Sequence, residues 1–278
     1  MRLFLTHSIL AFCLALSLQG CETLKGLNKD ASPKDEYRDW DEEKLHTTAK
    51  EALDNGVYQK AIKLYETLET RYPFGDYAAQ AQLNVAYAYY KNDDSEAALA
   101  AAERFIKIHP RNPSVDYAYY LKGLINYNRD IGFLERFLPS DSSQRDPGSG
   151  RIAYENFQEL LTRFPDSKYV PDAKQRMIAL RNNMAMHEVH IARFYYKRKA
   201  YIAAANRASE VVANYPRTPA VPYALKVMQK AYKKLGQMEL ANDAQRVYAL
   251  NYPDGPPVPE FPQKTLVSKI WHFIGLEQ

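Results

Sequence analysis

Apolar positions follow three regimes along this chain. Residues 3–18 form an apolar run interrupted only by Thr6, His7, Ser8 and Ser17. The middle of the chain carries a longer period. An aromatic or histidine precedes proline five times, at Tyr72-Pro73, His109-Pro110, Phe164-Pro165, Tyr215-Pro216 and Tyr252-Pro253, which predicts periodic helix stops. Twelve residues before each proline stands an alanine: Ala61, Ala98, Ala153, Ala204 and Ala241. Nine residues before three of these lie Tyr89, Tyr195 and Tyr232, and three before two of the tyrosines lie Ala86 and Ala192. The register predicts paired helices in units of about 41–73, 77–110, 116–165, 185–216 and 223–253. The third unit pairs a helix over 117–128 with one over 153–164. Past Pro253, residues 254–262 are too rich in proline for a helix, and an apolar stripe at helical spacing follows at Leu266, Ile270, Phe273 and Ile274, with Trp271 beside it.

Gly-x2-Tyr, then Ala-x3-Phe, then Pro over a nominal 34 residues is the tetratricopeptide pattern, and this register resembles it. Small residues let two antiparallel helices approach, an aromatic fills the gap beside them, and proline ends the second helix. Tyr65 and Phe157, each four after its alanine, take the aromatic place, whereas Ala102, Ala208 and Gln245 depart from it. Proline spacings of 37, 55, 51 and 37 imply longer connections and an insertion in unit three, a loop over 129–150. The expected fold is all-α, a tetratricopeptide superhelix of about five helix-turn-helix units, with an N-terminal half at 41–173 and a C-terminal half at 174–253. The 254–278 linker and terminal helix would cap the array, meet a partner or touch a membrane.

Among the 278 residues are 22 tyrosines and 2 cysteines, too few thiols for a disulfide framework or a four-cysteine zinc site. Arg2 and the apolar run read as an export signal, shorter than the roughly 20 residues that cross a bilayer. Leu18-Gln19-Gly20-Cys21 resembles a bacterial lipobox, with Gln19 departing from the usual small residue. Residues 1–20 are then a signal peptide and Cys21 carries lipid through two or three acyl chains, enough for stable anchoring. An ordinary signal with a chance cysteine is the competing reading. Glu22, where an aspartate would commonly mean inner-membrane retention, favours the outer membrane. Residues 21–40 read as a polar tether.

Catalytic signatures are missing from the sequence: no nucleophile elbow, phosphate-binding loop or dinucleotide fingerprint appears. His187 and His190 share a helical face without a third ligand, and read as solvated helix histidines. The expectation is a non-enzyme with no cofactor and no metal. Charge is unevenly spread. Residues 22–110 carry 12 Lys and Arg against 17 Asp and Glu, and residues 174–250 carry 14 against 4, a balance of +10. Such a basic segment suits an acidic protein surface, anionic lipid or nucleic acid. Export argues against nucleic acid, outside DNA uptake at the cell surface. First helices line the inner face of these arrays, and there Tyr87, Tyr90 and Lys91 share one side while Tyr117, Tyr120 and Tyr127 have compatible spacing. A concave strip of tyrosines would suit an extended, aromatic-rich segment, with Tyr89 and Tyr119 packing between helices.

Arg71-Tyr72-Pro73-Phe74-Gly75, Tyr87-Ala88-Tyr89-Tyr90-Lys91-Asn92, Asp116-Tyr117 with Gly123-Leu124, Arg145-Asp146-Pro147 and Asn206-Arg207 are similar to the BamD family, also called ComL or YfiO. The resemblance runs from the lipobox to about Asn251. It implies a non-enzymatic lipoprotein of the β-barrel assembly machinery, the BAM complex, lipid-anchored in the outer membrane on its periplasmic face. Its implied partners are unfolded outer-membrane protein precursors, a BamA-like barrel subunit and other BAM lipoproteins. On that basis Phe74, Tyr87, Tyr90, Tyr117 and Tyr120 hold the precursor, Lys91 meets its terminal carboxylate, and Arg207, Arg217 and Lys234 pair with acidic groups on the barrel subunit. The competing readings are a pilotin or secretin scaffold, a peptidoglycan-associated envelope coordinator, and, more remotely, a murein-remodelling enzyme.

Overall fold

The computed structural model describes residues 36–129 and 141–257. Among these residues, ten α-helices follow one another in antiparallel pairs: α1 (Glu42–Asp54), α2 (Tyr58–Arg71), α3 (Ala78–Lys91), α4 (Ser95–Ile108), α5 (Val115–Asn128), α6 (Gly148–Arg163), α7 (Val170–Lys197), α8 (Tyr201–Asn214), α9 (Val221–Lys234) and α10 (Met238–Asn251). A short 3-10 turn, Ser142–Gln144, precedes α6. No strand occurs among the described residues. Each helix packs on the next, while α3 also touches α5 and α7 touches α9, so first helices form one layer and second helices another. This is the all-α tetratricopeptide superhelix that the register predicts.

The five register alanines are each fully buried, as are Ala86 and Ala192. Two recurrent turns space the helices. Within a unit, the first helix ends on a residue of left-handed backbone five places before the alanine: Gly56 (φ 75°), Asp93 (63°), Lys199 (63°) and Gly236 (73°). The following N–H closes the helix by donating to a carbonyl five residues back, as from Val57 to Ala52 (2.8 Å), Asp94 to Tyr89 (3.0 Å), Ala200 to Tyr195 (3.0 Å) and Gln237 to Tyr232 (3.0 Å). Between units, the residue before proline leaves helical backbone, at φ −125° for Tyr72 and −135° for Tyr252, because proline disfavours helical geometry there.

Three boundaries differ from expectation. Residues 36–40, expected in the tether, pack on the body: Tyr37 is buried, its ring lies 4.9 Å from that of Trp40, and Arg71 Nη1 donates to the Tyr37 carbonyl at 2.5 Å. Residues 148–150, expected in the loop, open α6, where Asp146 Oδ1 accepts from the Gly148 N–H at 3.2 Å. The long helix α7 runs across 173/174, so the two halves share it, and it starts well before the expected 185. The signal segment, Cys21, residues 130–140 of the insertion and the terminal stripe after 257 lie outside the described residues.

Candidate functional site

Several of the sequence motifs turn out to hold loops. Glu42 Oε1, at the start of α1, accepts the Tyr77 N–H at 2.9 Å, and a Cβ on Gly75 would collide with that carboxylate. Asp116 Oδ2 accepts from Ser167 Oγ at 2.6 Å, tying the start of α5 to the loop before α7. Gly123 lies against the buried ring of Phe157, with no room for a methyl group between α5 and α6.

The tyrosines of successive first helices form a connected series. Tyr87 and Tyr90 on α3 have ring centroids 6.2 Å apart, Tyr117 and Tyr120 on α5 6.4 Å, and Tyr117 lies 5.3 Å from Tyr169, just before α7. Burial pushes the Tyr117 phenol well above its ordinary pKa, and the neighbouring phenols of Tyr87, Tyr169, Tyr120 and Tyr90 push it the same way. Tyr117 is therefore the centre of the strip, protonated at any physiological pH. Tyr120 is deeper than expected for a contact residue. It is buried, stacked on Tyr169 at 4.8 Å, and its hydroxyl donates to Asp172 Oδ2 at 2.6 Å. Burial, then that bond to Asp172, raises its pKa to about 12. Tyr120 thus backs the strip, and Tyr169, which the sequence reading passed over, carries the surface outward. Its only sequence signal is a tyrosine just before a Val-Pro helix start. Tyr119 and Tyr89 pack as expected: Tyr119 is buried against Phe164, and the half-buried Tyr89 bonds Glu66 on α2.

One end of the strip opens into a cleft of about 300 Å³ lined by Tyr90, Lys91, Asp93, Ser95, Asn128 and Arg129 among others. The Tyr90 hydroxyl accepts from Asn128 Nδ2 at 2.6 Å, and Lys91 Nζ stands 5.8 Å over the Tyr58 ring. Exposed Lys91 leaves a cation at the cleft mouth, while Arg129 pairs with Glu96. Phe74 lies elsewhere. It is 99% exposed on the α2–α3 loop, before the first turn of α3, whereas Tyr90 stands in the last turn of that helix, about 18 Å along its axis. The structure brings together Tyr87, Tyr90, Lys91 and Tyr117, backed by Tyr120, and leaves Phe74 apart.

In the basic half, Arg207 is already engaged: Nη1 lies 3.0 Å from Glu188 Oε2 and 3.4 Å from Glu210 Oε2. Arg217 and Lys234 are exposed. Arg217 sits in the left-handed region at φ 64°, a conformation that costs an L-residue about 1–2 kcal/mol. His187 and His190 are half-buried, in place of the solvated positions expected. His187 Nδ1 is 3.0 Å from the Ser143 carbonyl and His190 Nε2 is 3.0 Å from Ser143 Oγ, so both hold the 3-10 turn against α7. Ser143 Oγ donates to Asp141 Oδ1 at 2.5 Å, and the carboxylate lies on the same side of His190 as the serine. That arrangement differs from a catalytic triad, in which the acid holds the far ring nitrogen and leaves the hydroxyl free to attack. Among the described residues no three His, Cys, Asp or Glu side chains converge as a metal site would need.

Known proteins resemble this chain over most of its length. The assembly factor BamD of Neisseria meningitidis serogroup A is 45% identical over 248 residues, 89% of this chain and 92% of that protein. The outer membrane protein assembly factor BamD of Vibrio cholerae is 37% identical over 246 residues, 88% and 98% of the two chains. A crystal structure of MamA covers 74% of this chain and 94% of that one at 14% identity and a TM-score of 0.36. The family model described as YfiO, outer membrane lipoprotein, matches residues 38–247. The chain belongs to the YfiO family of outer membrane lipoproteins.

Proposed function

We propose that this chain is a subunit of the β-barrel assembly machinery that receives unfolded outer-membrane protein precursors and docks on the barrel-forming subunit. The observation that carries the reading is the tyrosine strip across α3, α5 and the start of α7, on a chain whose relatives are assembly factors. Tyrosine combines a large apolar face with a hydroxyl that can meet a peptide backbone at low entropic cost, which suits an extended strand of varying sequence. Tyr87, Tyr90 and Tyr117 would hold the aromatic-rich end of a precursor and Lys91 its terminal carboxylate. Phe74, standing apart, would contact a more distant part of the same precursor. The reading needs no bond chemistry of the protein: it acts by binding, without catalysis.

The basic half would face the barrel-forming subunit, with Arg217 and Lys234 free to approach acidic groups and Arg207 exchanging Glu188 for a partner carboxylate or sharing it. Acyl chains on Cys21 would hold the array at the outer membrane, on the periplasmic side. Docking is tested by affinity purification from detergent-solubilised outer membranes with the double variant Arg217→Gly, Lys234→Ala. Glycine accepts the left-handed backbone at residue 217, so folding is preserved. The barrel-forming subunit is expected to co-elute with the parent chain and to fall at least fivefold with the variant. Unchanged recovery would remove these two cations from the interface.

A further inference from the structure

Among the described helices, α10 departs from the other second helices on its outward face. Counted from the buried alanine of each second helix, the residues six and nine places on are Thr67 and Thr70, Arg104 and Lys107, Glu159 and Thr162, and Glu210 and Ala213. In α10 these places hold Val247 and Leu250, and Leu240, seven before Val247, extends them into one stripe. The three are 40%, 76% and 44% exposed. Leu240, Ala244 and Val247 follow at helical spacing, so the stripe adjoins the side on which α10 buries Ala241 and Ala244 against α9.

We propose that this stripe seats the chain's own C-terminal segment, residues 264–274, lying on α10 as an amphipathic helix. Three observations select that occupant. The dimensions match: Leu266 to Ile274 spans about 12 Å of helix and Leu240 to Leu250 about 15 Å. The route is short. Tyr223 Oη donates to the Pro257 carbonyl at 3.1 Å, which ties the departing chain to the first turn of α9, beside the end of antiparallel α10. The six residues 258–263 reach about 19 Å when extended, more than the roughly 10 Å width of the helix they must round. Charges complement each other as well. Along the stripe stand Glu239 and Asp243, the latter paired with Arg246 at 3.0 Å, which leaves one uncompensated acid there, and the segment brings Lys264 and Lys269. A leash this short holds the segment at millimolar effective concentration, so a small apolar contact suffices.

A photoreactive residue in place of Val247, in the full-length lipoprotein purified in detergent, tests the assignment. The expected product is an adduct within one chain, mapping to 264–274, with none from the same probe at Glu210, the equivalent place on α8. Adding Ile270→Asp and Phe273→Asp, which leaves the repeat body untouched, is expected to lower the adduct at least tenfold. An adduct joining two chains would assign the stripe to a second copy, and one to phospholipid would assign it to the membrane. Either result, or no tail adduct, overturns the proposal.

Discussion

His46 and His190 are the side chains through which stability is expected to respond to pH. His46 stacks on Tyr77 with ring centroids 4.2 Å apart, and burial, then Lys50, holds its pKa below the ordinary value. His190 is lowered likewise, by burial first, partly offset by Asp141, with Arg193 and His187 adding to the shift. In the folded protein both take up a proton at lower pH than in the unfolded chain, where they do so near pH 6.5. Below that pH the unfolded state binds more protons, so stability is lost as pH falls. Thermal unfolding is therefore expected at a lower temperature at pH 5.5 than at pH 7.5, and His190→Gln is expected to shrink that difference. An equal drop in the variant would take His190 out of the account. Residue chemistry also limits what was legible at the strip. The spacing of Tyr117 and Tyr120 places both on α5 but cannot tell which ring Asp172, 52 residues on, draws inward.

The element scale is where the sequence was most readable, because each helix stop has a local cause. Among the described residues, proline after an aromatic or histidine marks the end of every second helix, and a left-handed residue marks the end of the first helix in four units. Lys199 fills one such place where Gly56 and Gly236 fill others, and its Cβ carries the steric cost of φ 63°. Lys199→Gly is expected to stabilise the protein by about 1 kcal/mol in denaturant unfolding. A loss of similar size would show that the lysine side chain contributes more than its backbone costs. What was misread lacked such punctuation. After Pro171, α7 contains no glycine or proline up to Lys197, so nothing local signals that its first half belongs with unit three. Residues 36–40 look like polar tether in composition, and contacts with residues far along the chain, Lys63, Arg71 and Tyr72, fold them onto the body.

At the scale of the molecule, an acidic segment over residues 22–110 and a tyrosine strip across α3, α5 and the start of α7 precede a segment of charge balance +10 over residues 174–250. Separation of the two surfaces along one array would let a precursor and a docking partner be held at once, as proposed. The shape comes from buried alanines and turn residues, and the function rests on what the faces expose. The central claim is that the strip binds precursor. It is tested most directly by the equilibrium affinity of a fluorescent peptide, the C-terminal strand of an outer-membrane barrel protein, for the full-length chain. Tyr87→Ala with Tyr90→Ala is expected to weaken binding at least tenfold, about 1.4 kcal/mol or more. The Arg217→Gly, Lys234→Ala variant is expected to bind as the parent does. Equal affinity of the tyrosine variant and the parent, or equal affinity for a scrambled peptide, would contradict the account.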